Sequence, residues 1–178
     1  MTGAVPRFVD CRQETGLMDV SRVEAAISLR TKAIIPVHLY GHCVDMSPLL
    51  ELARKKKIPV IEDCAQATGA TYQGQPAGTM GLLGCFSFYP SKNLGCYGDV
   101  GAVVTRDAAL VDRLKMLRNY GQRRRYHHAI KGINSRLDEL QAALLRVKLP
   151  RVPRWNQRRR EIADAYSRGL AGLPIRLP

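Results

Sequence analysis

Two short apolar runs, residues 33–37 and 58–61, enclose a segment that carries the marks of an α-helix, and this order constrains the fold more than any other feature. Over residues 47–57, Ser47 suits an N-cap, Pro48 the first helical position, and Lys55, Lys56 and Lys57 complement the dipole at the far end. A helix joining two strands is a crossover, and a crossover makes the strands parallel. Further strands are predicted over 5–9, 85–89 and 102–105, most of them buried on both faces. The expected fold class is therefore α/β, a mostly parallel sheet flanked by helices. In such sheets ligands collect outside the carboxyl ends of the strands.

Two of those ends carry chemistry. The run Ile58-Pro-Val-Ile-Glu-Asp-Cys-Ala-Gln66 delivers an acid at Asp63 and an amide at Gln66. The run Cys85-Phe-Ser-Phe-Tyr-Pro-Ser-Lys-Asn-Leu-Gly-Cys-Tyr-Gly-Asp99 places Lys92 after a strand and a proline and before a glycine-rich turn. A lysine held there is suited to Schiff-base chemistry with an aldehyde. Asp63 can cap the following turn, or face a pyridine nitrogen and keep it protonated so that the ring accepts electrons. Gln66 is either an exposed turn residue or a neighbour of that ring. Ser87 points opposite to Phe86 and Phe88; it can bond to nearby backbone or donate to a phosphate. The pair of strand ends predicts a pyridoxal 5'-phosphate site.

Other signals are weaker. His38, His42 and Cys43 invite a metal reading, but no matching carboxylate cluster follows, and no metal is expected. Gly95, Gly98 and Gly101 read as a tight turn and not as a dinucleotide fingerprint. His127 and His128 follow Arg123, Arg124 and Arg125 in what reads as a mobile basic loop, able to grip a diphosphate. Beyond Leu110 the pattern is largely helical. Ser135 and Asp138 resemble a capping box, with Leu137, Leu140, Leu144 and Val147 on one face of the helix that follows. Pro150 and Pro153 are expected to stop that helix. A last helix is predicted over 154–170, with Ile162, Tyr166 and Leu170 on one face.

The formal net charge of +13 raises the question of a nucleic-acid partner. Its excess sits on segments that read as helices, with no zinc-finger spacing or RNA-binding aromatic motif, so a solvated face and anionic small molecules explain it better. Five cysteines, odd in number and without a Cys-x-x-Cys pair, argue against a disulfide framework. No apolar run approaches the roughly 20 residues of a membrane-crossing helix, and no signal-peptide order opens the chain. A cytoplasmic protein without membrane contact is expected. Leu-Pro-Ile-Arg-Leu-Pro178 reads as the opening of another element, so the 178 residues read as an excerpt of a longer protein.

Several motifs, in order, resemble one family, the DegT/DnrJ/EryC1/StrS sugar aminotransferases of the fold-type I pyridoxal phosphate superfamily. They are Thr31-Lys-Ala-Ile-Ile-Pro-Val-His-Leu-Tyr-Gly41, Ile61-Glu-Asp-Cys-Ala-Gln-Ala-Thr-Gly-Ala70, Phe86-Ser-Phe-Tyr-Pro-Ser-Lys-Asn-Leu94, Gly98-Asp-Val-Gly-Ala-Val-Val-Thr105 and Gly132-Ile-Asn-Ser-Arg-Leu-Asp-Glu-Leu-Gln-Ala-Ala143. The resemblance implies a partial cofactor-binding large domain over 1–150, and over 151–178 a helix leading into a truncated small domain. It implies that Lys92 forms the internal aldimine, Asp63 partners the pyridinium nitrogen, Gln66 lies near the ring and Ser87 binds phosphate. Asn134 would reach the cofactor phosphate of a neighbouring subunit, which implies a homodimer with shared active sites. The implied reaction is transamination of a nucleotide-linked keto sugar by an amino acid donor, glutamate. A truncated, non-catalytic chain that keeps the ligand or dimer surface is the alternative. The lysine weighs against relatives that carry histidine there and deoxygenate sugars, and Val100 replaces the more usual small residue of a Gly-Asp-Gly-Gly turn.

Overall fold

The computed structural model describes residues 2–175 and Leu177. In chain order its helices are α1 (Val23–Ala26), α2 (Met46–Lys56), α3 (Ala108–Leu117), α4 (Glu139–Lys148) and α5 (Val152–Gly169). Its strands are β1 (Ile61–Asp63), β2 (Thr71–Tyr72), β3 (Gln75–Pro76), β4 (Leu83–Ser87), β5 (Gly101–Val104), β6 (Gln122–Arg124) and β7 (His127–His128). The principal sheet has the order β1-β4-β5. β1 and β4 run parallel, with Ile61 opposite Leu83 and Asp63 opposite Cys85, and β5 returns antiparallel beside β4. The expected strand over 33–37 joins the free side of β1 through two parallel bridges, Ile34 to Val60 and Val37 to Asp63. The α/β class and the crossover are as the sequence predicts.

Helix α2 lies over one face of this sheet. Leu49 and Ala53, four apart, fall on one side of the helix and enter a core with Val44, Met46, Ile34 and Val60. The helix begins earlier than expected, and its N-cap is Asp45, not Ser47. Asp45 caps indirectly: Ser47 N–H donates to the Tyr72 hydroxyl, and that hydroxyl donates to Asp45 Oδ1 at 2.5 Å. The C-terminus closes with Lys57 in the left-handed region, donating to Ala53 and Arg54 carbonyls.

Expectations drawn from periodicity fail where periodicity shows which residues can be buried and not what is there to bury them. Residues 5–9 form no strand; Val5 and Phe8 are each 90% exposed. The strands are not buried on both faces, since Val103 and Val104 of β5 are exposed. No capping box forms at Ser135: α4 starts at Glu139, and Leu140 and Val147 face solvent while Leu145 is buried. The helix α4 ends at Lys148, just before Pro150, as expected. Pro150 opens a short 3-10 turn and Pro153 sits in the first turn of α5, where no N–H is needed, so the chain passes from α4 to α5 almost without a gap. On α5 the predicted apolar face is open, with Ile162 and Tyr166 exposed. The basic segment around His127 is ordered as the β6–β7 hairpin, with Tyr126 in the left-handed region at its turn. Among the described residues no helix is long and apolar enough to cross a membrane.

Beneath the carboxyl end of β1 lies Glu62, fully buried. Its carboxylate accepts from the N–H groups of Gly78 (2.7 Å), Met80 (2.8 Å) and Gly81 (2.6 Å) and from His38 Nε2 (3.0 Å). His38 Nδ1 accepts from Val44 N–H at 3.2 Å, which leaves the ring hydrogen on Nε2, facing Glu62. Burial alone would raise this carboxyl's pKa; the His38 and backbone donors outweigh it and hold the group below its ordinary 4.5. The charged form is thus favoured on folding, so the contribution is complete above pH 4.5 and is lost as pH falls through the lower folded value. Glu62→Gln is expected to lower unfolding free energy at neutral pH by roughly 3 kcal/mol or more, since it turns an amide towards donors. Urea titrations should show that deficit shrinking as both proteins are taken to lower pH.

Candidate active site

The loop that carries Lys92 is closed at its base. Cys96 N–H donates to the Phe88 carbonyl at 2.8 Å, Phe88 N–H donates to the Val100 carbonyl at 2.7 Å, and Lys92 N–H turns back to the Tyr89 carbonyl at 2.9 Å. Gly95 is required in this loop, because a Cβ there would lie 2.5 Å from the Pro90 carbonyl oxygen. Leu94 and Cys96 are buried against Leu145 and Val152, with Phe88, Val100 and Trp155 around them. The Val100 departure noted in the sequence therefore supplies an apolar contact to the same cluster.

This packing presents the Lys92 side chain to two adjoining cavities of about 500 and 520 Å³. Its Nζ has no hydrogen bond or ion pair with any described residue. The larger cavity also takes Gln66, Thr68, Tyr40, His42, Asn156 and Arg159 into its lining. Gln66 Oε1 accepts from Tyr40 N–H at 3.0 Å, which holds Tyr40 in a left-handed conformation (φ 55°) and leaves the amide NH2 of Gln66 free.

Asp63 stands at the carboxyl end of β1, half-buried, one strand from Ser87 at the end of β4. Its Oδ1 accepts from Ala65 N–H at 3.0 Å, the turn-capping role foreseen for it, and Oδ2 has no partner among the described residues. Ser87 Oγ accepts from Tyr89 N–H at 3.3 Å, so its own proton is available. The structure thus brings Lys92 and Gln66 into one cavity and sets Asp63 and Ser87 at adjacent strand ends. It does not bring Asn134 there: that residue is exposed, bridges to Asn119, and accepts from Arg136 Nε at 2.8 Å.

His38, Glu62 and Cys64 place potential metal ligands within 4.8 Å of one another. Their atoms are already committed. Both His38 nitrogens and both Glu62 oxygens are hydrogen-bonded, and burial pushes the Cys64 thiol up to about 12, far from the thiolate a metal needs. The group is a buried polar support. His42 lines the larger cavity instead.

A profile of the DegT/DnrJ/EryC1/StrS aminotransferase family matches residues 1–178. The chain belongs to this family. It is 53% identical over 178 residues to a dTDP-3-amino-3,4,6-trideoxy-alpha-D-glucose transaminase of Streptomyces venezuelae, covering 99% of this chain and 47% of that protein. It is 52% identical over 176 residues to a UDP-N-acetyl-3-dehydro-alpha-D-glucosamine 3-aminotransferase of Acidithiobacillus ferrooxidans, covering 99% and 48%. Among solved structures, S. venezuelae DesV in complex with a ketimine intermediate superposes with a TM-score of 0.94 at 51% identity, over 99% of this chain and 49% of that one. The chain spans about half the length of the curated relatives it matches.

Membership of an aminotransferase family implies pyridoxal phosphate, and the donor set fits it. An unpartnered amine opens on a cavity, a carboxylate at the neighbouring strand end has one oxygen free, and amide, hydroxyl and guanidinium donors surround the amine. The residues that sequence reasoning did not single out are Glu62, Asn93, Asn156 and Arg159. Asn93 could have been found by its place beside Lys92; Asn156 and Arg159 carry no local signal, because only the α4–α5 corner brings them to the site.

The burial that keeps Cys64 protonated also shields it. Brief treatment of the native chain with a maleimide should modify exposed Cys11 and leave Cys64 and Cys96 unmodified until denaturant is added, as read by peptide mass.

Proposed function

We propose that the protein to which this chain belongs transfers an amino group from an amino acid, glutamate, to a keto sugar carried on a nucleotide, using pyridoxal phosphate held beside Lys92. The observation that carries this reading is the free Lys92 amine opening on a cavity at the carboxyl ends of β1 and β4, one strand from Asp63. The relatives named for dTDP- and UDP-linked amino sugars support the substrate class. When bound, the cofactor supplies an aldehyde that captures amines and a ring that accepts electrons.

The chain's own residues divide the remaining work. Lys92 Nζ would hold the cofactor's aldehyde carbon and, once released from it, would accept and return a proton. Asp63 Oδ2 would keep the ring nitrogen protonated, and the Gln66 amide would help to orient the ring. Ser87 Oγ–H would donate to the phosphate. Asn134, exposed and away from the cavity, serves the phosphate of a second copy in a homodimer. Arg159 and Arg160 of α5 and the basic β6–β7 hairpin, with Arg123 and Arg125 exposed, attract the diphosphate of a nucleotide sugar. A charged, nucleotide-linked substrate suits an aqueous compartment, and this reading assigns the reaction to the cytoplasm.

The second reading is a chain that keeps the ligand surface without turnover. Pyridoxal phosphate addition, borohydride reduction and peptide mass spectrometry test the site directly. The expected result is one pyridoxyl group confined to Lys92, absent from Lys92→Ala. In Asp63→Asn, the concentration needed for labelling should rise by roughly tenfold or more, the worth of one charge-assisted hydrogen bond. Label scattered over surface lysines contradicts the assignment, while confined label without amino transfer to any nucleotide keto sugar selects the second reading.

A further inference from the structure

Lys92 is flanked by a residue whose side chain is completely engaged. Asn93 Nδ2 donates to the Thr68 carbonyl at 2.7 Å and to Asn156 Oδ1 at 3.1 Å, and Asn93 Oδ1 accepts from Leu94 N–H at 3.1 Å. Asn156 Nδ2 in turn donates to the same Thr68 carbonyl at 3.1 Å. Two amides therefore close over one carbonyl, each donating to it and one donating to the other. Because the Thr68 carbonyl can only accept, both amides must turn their nitrogens towards it, so the arrangement has one orientation.

The surroundings are shaped for this contact. Gly69, next to Thr68, has φ +83°, and a Cβ there would lie 2.8 Å from Asn156 Nδ2. Asn156 lies four residues after Val152 on α5, and Val152 is buried against the Leu94 and Cys96 side of the lysine loop. Two further ties join the helices to this loop: Lys148 Nζ donates to the Gly95 carbonyl at 2.5 Å, and Tyr97 N–H donates to Gln141 Oε1 at 2.8 Å. The apolar cluster, these two ties and the amide pair reach every part of the segment from Asn93 to Tyr97. Just before this segment, the Lys92 side chain has no hydrogen bond or ion pair among the described residues.

We infer that Asn156 is a positioning residue for Lys92, acting through Asn93 and the Thr68 carbonyl. The amide pair links three separate pieces of chain: the turn after β1 that follows Asp63 and Gln66, the lysine loop after β4, and α5. It thereby sets the separation between the Asp63–Gln66 side of the site and the Lys92 amine. This inference rests on the reading of Lys92 as the reactive amine, and the amides themselves touch no reacting atom. Both half-buried asparagines border the larger cavity, so loss of the pair would loosen the amine without opening the apolar core.

The test uses the intact chain and two readouts. The variants are Asn156→Ala and Asn156→Asp, the latter keeping the shape and the acceptor for Asn93 while removing the donor to Thr68. Ser167→Ala, exposed on the same helix, is the control. Without cofactor, hydrogen exchange of the peptide spanning 90–96 should speed up at least tenfold in both Asn156 variants and stay unchanged in the control. With pyridoxal phosphate and borohydride, the share of label on Lys92 relative to the other lysines should fall at least tenfold, while far-UV circular dichroism is retained. Wild-type exchange in this peptide together with wild-type label selectivity would overturn the inference. If Asn156→Ala does not fold, the isosteric aspartate variant decides. If the unsubstituted chain places no label on Lys92, the functional reading fails, and the exchange result still decides whether Asn156 fixes the loop.

Discussion

A carboxylate sealed from water is the point on which the rest of this structure depends. Removing such a group from solvent costs several kcal/mol, and only complete hydrogen bonding offsets it. Glu62 obtains that from the His38 ring and from three backbone N–H groups of the segment before β4. The same four bonds connect three parts of the sheet: the bridged strand that ends at His38, β1 itself, and the approach to β4. Asp63 follows Glu62 directly and points the other way along the strand. The bonds that anchor Glu62 therefore place Asp63 at the carboxyl end of the sheet.

The second support comes from the opposite side. The corner between α4 and α5, tightened by two prolines, brings Lys148, Val152 and Asn156 against the loop that carries Lys92. The candidate site is thus a joint between two clusters, one under β1 and α2 and one under α4 and α5. Its reactive groups lie at the seam. That is a common solution in α/β proteins, where the sheet supplies strand ends and other elements close the crevice. It also explains why Lys92 can be free of partners while its neighbours are fully engaged.

What could be read in the sequence was local. Lys92, Asp63 and Gln66 stood out because each lies within a few residues of a strand, a proline or a glycine turn that announces its position. The α2 crossover was legible for the same reason, with an apolar stripe and basic C-terminus. The buried pair His38 and Glu62 was not, since a glutamate inside an apolar run reads as one polar residue of an alternating strand, and its four donors lie far along the chain. Tyr72 as the cap of α2 was equally hidden. Residues 5–9, Leu140, Val147 and Ile162 misled for the converse reason: they have the pattern of buried surfaces, and their exposure depends on what else is packed beside them. Asn156 became visible only once α5 was in place.

Whether a built site fixes Lys92 relative to Asp63 is open to measurement by visible circular dichroism. Pyridoxal phosphate is achiral, so its absorption band acquires dichroism only when the ring is held in one orientation by the protein. Mixing the cofactor with the chain should give an induced visible band, and Lys92→Ala should give none. Absorbance from cofactor joined to lysines without any induced dichroism would contradict it, for that would mean the amine is available and the site around it is not formed.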